Sequence, residues 1–257
     1  MSDQMKTSKV REVLGIDIGG TGIKAAPVDV TDGKILAEPI RVPTPHPANP
    51  ELMLRQIEDI LKKFHWTGPV GCGFPGVIKN GTILTAANLD DEWVGINLEE
   101  EFKKRWSLEA VVLNDADAAA LAEMKFGAGK EYNRPNGGVV MLFTLGTGIG
   151  SALFVNGQLV PNTEFGHMEM DGKDAEHWAA TVIREKENLS WKEWGARVNK
   201  FLKRIEILFT PDLIIIGGGV SQNPEKFFPY LHVQAKLVPA RMANDAGIIG
   251  AALVYYV

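Results

Sequence analysis

The sequence predicts an α/β protein made of two related lobes, and three observations carry that expectation. A strand-like run, Glu12–Ile18, breaks at Gly19-Gly20-Thr21-Gly22 and resumes over Ile23–Val30. Far along the chain Val139–Leu145 breaks at Gly146-Thr147-Gly148-Ile149-Gly150 and resumes over Ser151–Val155. Both units share a strand-Gly-Thr-Gly-Ile core, and each then reaches a turn, at Asp32-Gly33 and Asn156-Gly157. The chain therefore reads as a duplication, and its 257 residues suffice for one large domain or two packed lobes.

The remaining elements follow in order. Lys34–Val42 is expected to be the third strand of the first meander. Pro43–Pro50 holds four prolines and reads as a loop. Asn49 then caps a helix with Pro50 at its first position, where a missing N–H costs nothing. Leu52, Ile57, Ile60, Leu61 and Phe64 mark the apolar side of that helix. Val70–Phe74 reads as a strand, with Gly71, Gly73 and Gly76 able to let backbone approach a ligand. Glu109–Leu113 is a buried strand by pattern, and Asn114-Asp115-Ala116-Asp117 opens an alanine-rich helix that Gly127 stops. Gln158–Val160 completes the second meander. Ser190–Glu193 fits a capping box, and Trp191, Trp194, Val198, Phe201, Ile205 and Leu208 form a helical stripe. Pro211 ends that helix, Leu213–Ile216 is an apolar strand, and a short helix over Ala246–Tyr255 closes the chain.

Composition excludes several classes. Lysine and arginine number 27 against 32 aspartates and glutamates, a net charge of −5, which argues against a nucleic-acid partner. One cysteine, Cys72, excludes an intrachain disulfide framework and a multi-cysteine metal site. No window approaches the ~18–20 apolar residues of a membrane helix, and Met1–Arg11 has no apolar signal core. A reducing cytoplasm is the expected setting, with no membrane partner.

Three glycine turns, at 19–22, 146–150 and 217–219, expose backbone N–H groups that suit phosphate; each is equally a plain tight turn. A P-loop is absent, and a dinucleotide fingerprint fails because a strand follows Gly22 where a helix is needed. Asp17 lifts the first turn above an ordinary one. A buried carboxylate is costly unless it is paired or faces a cation, and Mg²⁺ carried with phosphate is the economical partner, direct or through water. Lys24 adds a positive charge beside it or is a solvated surface lysine. Asp115 sits where a strand ends and a helix begins, the usual place for site residues in open α/β sheets. Asn114 beside it suits sugar hydroxyls, and helix capping explains the pair equally well. Glu164-Phe165-Gly166-His167 forms a compact hydrogen-bonding patch, and no nearby cysteine or histidine makes His167 a metal ligand.

Taken together and in this order, Leu14–Lys24, Asn114–Ala120, Leu145–Gly150, Glu164–His167 and Gly217–Ser221 resemble the motifs of the ROK sugar kinases. Thr85–Asp90, Leu189–Trp194, Leu208–Leu213 and Asn244–Ala252 make the chain most similar to the polyphosphate-using glucokinase branch. The resemblance runs from about residue 12 to the end. It implies an actin/hexokinase-like (ribonuclease H-like) fold with mixed sheets flanked by helices and an interlobe cleft. One lobe would span 10–114, completed by a helix over 245–257, and the other 115–244. ROK relatives are commonly homodimers, and the tryptophan-rich helix is either a dimer contact or core.

The resemblance also assigns roles. Asp115 would take the proton from a sugar 6-hydroxyl. Asn88, Asn114, Glu164, His167 and Glu176 would hold the remaining hydroxyls of glucose, with mannose as a second sugar. Asp17, Gly19, Gly20, Thr21, Gly22 and Lys24 would bind phosphate and Mg²⁺, and Gly146, Thr147 and Gly148 would clamp it from the other lobe. Gly217, Gly218 and Gly219 would lie on the donor side, the donor being inorganic polyphosphate, ATP or GTP. A strictly ATP-dependent hexose kinase is the alternative. A regulator of the same family would need a DNA-binding helix-turn-helix before the first strand, where Met1–Arg11 leaves no room. An actin-like assembly ATPase would not need the sugar set.

Two features depart from the family pattern. Many ROK proteins carry a cysteine-rich zinc motif after the Glu-x-Gly-His element; Met168–Ala180 contains no cysteine, so no structural zinc is expected. The glycine loop is often followed by lysines, and here Ser221–Lys226 lacks two of them. A polyphosphate track would then fall on Arg197, Lys200 and Arg204, with Arg184, Lys192 and Lys203 nearby; the competing reading is a solvated helix face.

Overall fold

Alternation along the first strand determines how the molecule is assembled. The computed structural model describes residues 11–87, 89–242 and 245–256. β1 (Glu12–Ile18) returns antiparallel on β2 (Gly22–Asp29), with Asp17 opposite Lys24. β3 (Lys34–Ile35) and β4 (Ile40–Pro43) both pair with β2. The single strand expected over Lys34–Val42 is therefore two short pieces, separated where Pro39 has no N–H to continue the ladder. Helix α1 (Pro50–Lys63) begins at the Asn49 cap, whose side chain accepts the Leu52 N–H. Its buried side also includes Met53 and Leu54, while Leu52 and Phe64 are only half-buried.

β5 (Val70–Phe74) lies parallel to β1 and is buried throughout. β6 (Ile78–Lys79) and β7 (Thr82–Ile83) form a small hairpin, followed by α2 (Leu98–Trp106). β8 (Ala110–Asn114) closes the sheet order β3-β2-β1-β5-β8 and leads straight into α3 (Asp115–Lys125). As an edge strand, β8 is only partly buried, unlike the fully buried strand its pattern suggests.

The second unit repeats the plan. β9 (Val139–Leu145), β10 (Ile149–Val155) and β11 (Gln158–Val160) run antiparallel. After the hairpin β12 (Glu169–Met170) and β13 (Lys173–Asp174) come α4 (Glu176–Ala179), α5 (Thr181–Lys186) and α6 (Trp191–Phe209). β14 (Leu213–Gly217) and β15 (Lys236–Pro239) add parallel strands, giving β11-β10-β9-β14-β15. Apart from β4, which has no counterpart, the order matches that of the first sheet. Helix α7 (Ala246–Val254) ends the described chain.

Strand periodicity sorts side chains onto two faces of each sheet. Leu14, Ile16 and Ile18 join the outer core with α1 and α2, while Val13 faces inward to α7. In the second sheet Met141, Phe143 and Leu145 pack outward on α6, and Val140 and Leu142 face inward to α3. Thus α3 and α7 lie between the sheets and α1, α2 and α6 cover the outside. Close approach on the inner face is what the glycines serve. A Cβ on Gly15 or Gly71 would overlap the carbonyls of Ile248 or Ala251 in α7, and one on Gly76 would overlap the Thr85 carbonyl. Gly71 and Gly76 therefore admit the protein's own backbone, in place of the ligand expected from sequence.

Helix α6 corrects one further expectation. Its capping box forms as expected, and Trp194, Val198, Phe201 and Ile205 are buried, joined by Leu202. Leu208 is exposed. Trp194 is fully enclosed and Trp191 packs on Trp194 and Phe227, so the tryptophans serve the core. Arg197 is paired with Glu187 at 2.6 Å and Lys200 with Asp171, so two members of the expected track are neutralised, while Lys192, Lys203 and Arg204 have no ion pair within 4.0 Å among the described residues.

Candidate active site

The same alternation that buries Val13 and Gly15 inward turns Asp17 inward too, at the mouth of the cleft between the sheets. Its equivalent in the second meander is Thr144, one residue before Leu145-Gly146. Both line a cavity of about 230 Å³ with Lys24, Asp115 and the Gly217–Gly219 loop. The glycine turns are closed alike: Gly19 N–H donates to the Gly22 carbonyl and Gly146 N–H to the Gly148 carbonyl, each at 3.0 Å. Thr44 Oγ1 braces the first turn by donating to the Gly19 carbonyl at 2.6 Å, and Thr181 Oγ1 braces the second through the Leu145 carbonyl at 3.1 Å. Gly218 takes φ +82°, a conformation glycine adopts freely, and the Ser221 hydroxyl donates back to its carbonyl.

Lys24 Nζ is 3.4 Å from Asp17 Oδ2, and the start of α7 presses on the same carboxylate, where Gly247 leaves room for it. Among the described residues no three acidic, histidine or cysteine side chains gather closely enough to hold a metal unaided. That donor set fits Mg²⁺, which takes one or two carboxylates and fills its shell with phosphate oxygens and water.

Asp115 opens α3 at the end of β8. The Asn114 side chain caps the helix by accepting from Ala116 N–H and Asp117 N–H, and its amide donates to the Gly76 carbonyl. One amide hydrogen of Asn114 remains for another acceptor, so capping and ligand contact are compatible. Asp115 accepts the Ala116 N–H at 2.8 Å. Protein walls surround its carboxylate although it still reaches solvent through the cleft. Burial first, and then the nearby charge of Asp17, push its pKa up to about 7, against the opposing pull of the Ala116 N–H. It is a carboxylate poised to exchange a proton near neutrality.

Asp117, one turn on, is fully enclosed: Oδ2 accepts the Asn162 N–H at 2.7 Å, and Oδ1 has no partner. Burial pushes its pKa up to about 7 from an ordinary 3.8. The native state therefore holds a proton that the unfolded chain has released, and ionising Asp117 costs stability that is absent below about pH 4 and complete above about pH 7. Asp117→Asn keeps an oxygen for Asn162 and removes that cost. Its melting temperature relative to wild type is expected to be highest at pH 8 and to fall toward pH 5; a difference that calorimetry finds independent of pH would contradict the assignment.

The third group comes from the second lobe. Ser151 Oγ donates to the Thr163 carbonyl and accepts the Phe165 N–H, which fixes the segment carrying Glu164. Burial raises the pKa of Glu164. His167 Nδ1 donates to Asp174 at 2.9 Å, which raises its pKa and leaves Nε2 3.9 Å from Glu164 Oε2. Glu176 lies against the second glycine turn, its Oε2 accepting the Ile149 N–H at 3.4 Å.

Of the residues singled out from sequence, Asp17, Lys24, Asp115 and Gly217–Gly219 share the cavity wall. The Gly19–Gly22 and Gly146–Gly148 turns follow directly from Asp17 and Thr144. Glu164 is close enough to raise the pKa of Asp115. Asn88 lies outside the described residues. Sequence reasoning missed Thr144, which the alignment of the two meanders could have found, and Asp174, which no spacing signal marks.

Two duplicated mixed sheets enclose a cleft in which an aspartate at a helix start meets an Asp–Lys pair from one sheet and a glycine loop from the other. This is a two-lobed α/β phosphotransferase of the actin and hexokinase fold. The chain belongs to the ROK family, whose model matches residues 13–188. It is 44% identical over 253 residues to a polyphosphate glucokinase of Mycobacterium leprae, covering 98% of this chain and 77% of the relative. To the polyphosphate glucokinase of Mycobacterium tuberculosis (strain CDC 1551 / Oshkosh) it is 45% identical over 244 residues, 95% of this chain and 91% of the relative. Among solved structures it is similar to the inorganic polyphosphate/ATP-glucomannokinase of Arthrobacter sp. strain KM, with TM-score 0.89, 42% identity, and coverage of 96% of this chain and 99% of that one. The ROK family glucokinase of Streptomyces griseus, solved with glucose and AMPPNP, gives TM-score 0.79 at 26% identity, covering 94% and 98%.

Proposed function

We propose that the protein transfers the terminal phosphoryl group of inorganic polyphosphate to the 6-hydroxyl of glucose, giving glucose 6-phosphate and a chain one phosphate shorter. ATP and GTP are alternative donors, and mannose a second acceptor. The observation that carries this reading is Asp115, with its pKa near 7, in one cavity with the Gly217–Gly219 loop and the Asp17–Lys24 pair. The relatives' names supply the substrate classes.

Asn88, Asn114, Glu164, His167 and Glu176 would hold the sugar so that its 6-hydroxyl faces Asp115. Asp115 accepts the hydroxyl proton as the O6–P bond forms, and the bridging P–O bond to the remaining chain breaks. The transition state is loose, so most of the acceleration comes from orientation and charge neutralisation. The backbone N–H groups of the turns at 19–22, 146–148 and 217–219 that are not bonded within the turns, and the Lys24 ammonium, supply that neutralisation. Mg²⁺, held by Asp17 directly or through water, would add positive charge on the phosphates when bound. Closure of the lobes 10–114 and 115–244 on sugar would exclude water and suppress donor hydrolysis. No helix among the described residues is long and apolar enough to cross a membrane; a cytoplasmic homodimer is the form this reading assigns to the enzyme.

Glucose 6-phosphate formation is to be followed with polyphosphate, ATP and GTP as separate donors, with and without Mg²⁺. Turnover with polyphosphate that requires Mg²⁺ is expected. Absence of product with every donor would overturn the kinase reading.

A further inference from the structure

A polyphosphate donor is a linear polyanion, and the chain's net charge of −5 repels it, so it must be met by local cations. On α6, Arg197 and Lys200 are already paired with Glu187 and Asp171, while Lys192, Lys203 and Arg204 have no ion pair within 4.0 Å among the described residues. A different pair of cations lies where the chain leaves the two donor-side glycine turns.

Arg184 is on α5, which is fastened beneath the second glycine turn. Two residues before Arg184, the Val182 N–H donates to the Gly146 carbonyl at 3.1 Å, and Thr181 holds the Leu145 carbonyl. Lys226 ends the short helical turn Pro224–Lys226 that follows the Gly217–Gly219 loop. Both cations converge on one ring: the Arg184 guanidinium lies 4.1 Å from the centre of Trp191, and Lys226 Nζ lies 5.6 Å from it. Trp191 is itself fixed against Trp194 and Phe227.

The two charges are not balanced from within. Nε of Arg184 is buried without an acceptor, and among the described residues the guanidinium's one carboxylate within 4.0 Å is Glu185, at 3.9 Å and largely exposed. Lys226 is exposed and, among the described residues, has no ion pair within 4.0 Å. Glu193 is committed to the Ser190 cap and Glu187 to Arg197. Two like charges held over one ring, neither with a close ion pair, form an arrangement that an anion completes. Arginine supplies the planar fork that suits a phosphate, lysine a point charge beside it.

We propose that Arg184 and Lys226, gathered on Trp191, form a subsite for an internal phosphate of a linear polyphosphate, upstream of the phosphoryl group being transferred. This rests on the reading of polyphosphate as donor. A donor too short to reach the subsite gains nothing from it, so the pair discriminates by chain length.

The test compares wild type with Arg184→Gln/Lys226→Gln and with Lys226→Gln alone, whose exposed side chain spares the fold. Two quantities are measured: equilibrium binding of long-chain polyphosphate by titration calorimetry across a salt series, and kcat/KM for long-chain polyphosphate relative to tripolyphosphate. In the double variant, affinity for the long chain and the long-to-short ratio are both expected to fall at least about tenfold. Lys226→Gln should lower both at least about threefold, and the dependence on salt should flatten as charges are removed. Unchanged affinity and ratio in Lys226→Gln and in the double variant would overturn the subsite, as would an equal loss on both donors. If wild type forms no glucose 6-phosphate from any donor, the proposed reaction falls, and the binding titration still decides the subsite by itself.

Discussion

Replacing Asp115 with asparagine is expected to lower kcat by about 10²–10⁴-fold while glucose still binds. Asparagine preserves the shape of the site and an oxygen for the Ala116 N–H, so α3 begins as before. What it loses is the ability to accept the hydroxyl proton. Two measurements separate that role from a structural one: glucose affinity by calorimetry, expected within a few-fold of wild type, and single-turnover phosphoryl transfer. A variant retaining more than about a tenth of wild-type kcat would show that Asp115 is not the base. The pH profile follows from the same carboxylate. Because its pKa is raised to about 7, the ionised form that can act as base is depleted as pH falls, and kcat/KM should drop on the acid side of neutrality. An acid limb near the ordinary carboxylate range would mean that burial and the Asp17 charge do not govern it.

The second large effect is on folding. Gly15 and Gly71 are register partners on adjacent strands β1 and β5, and together they form a shallow bed on the inner face of the first sheet. Helix α7 lies in it, its Ile248 and Ala251 carbonyls occupying the space where Cβ atoms would stand. Gly71→Val must push α7 off the sheet, at a cost of roughly 3 kcal/mol or more. At this chain length that lowers the melting temperature by about 6–12 °C. Displacing α7 also moves Gly247 from the Asp17 carboxylate, so residual activity should fall further than stability alone explains. A variant that melts within about 2 °C of wild type would mean that α7 is not seated as described.

The parts of this molecule legible in the sequence are those written in local pattern. The two meanders were visible because their strands alternate around a repeated Gly-Thr-Gly, and the strand order they seed is the same in both sheets. Asn49 and Ser190 announced their helices because capping is a short-range hydrogen bond between residues three apart. Asp17 and Asp115 stood out because each places a carboxylate where an apolar strand ends.

What sequence did not reveal depends on contacts across the fold. Gly71 looked like an opening for a ligand, and only the position of α7, more than 170 residues away, shows that it admits backbone. Arg197 and Lys200 share a face of α6 as the spacing indicated, but Glu187 and Asp171, which pair with them, lie outside the helix. Arg184 and Lys226 are 42 residues apart, and nothing in their spacing brings them to one tryptophan. Asp174, which orients His167, belongs to a two-residue strand too short to leave a periodic signal.

The central claim is that this cleft moves a phosphoryl group from polyphosphate to the sugar 6-hydroxyl with Asp115 as base. It is tested most directly by ³¹P NMR of glucose and long-chain polyphosphate incubated with wild type and with Asp115→Asn. Wild type should build a phosphomonoester resonance coupled to the C6 methylene protons as the polyphosphate end groups shift, and the variant should build almost none over the same time. Phosphate on another hydroxyl, free orthophosphate without ester, or equal ester from both proteins would contradict the account.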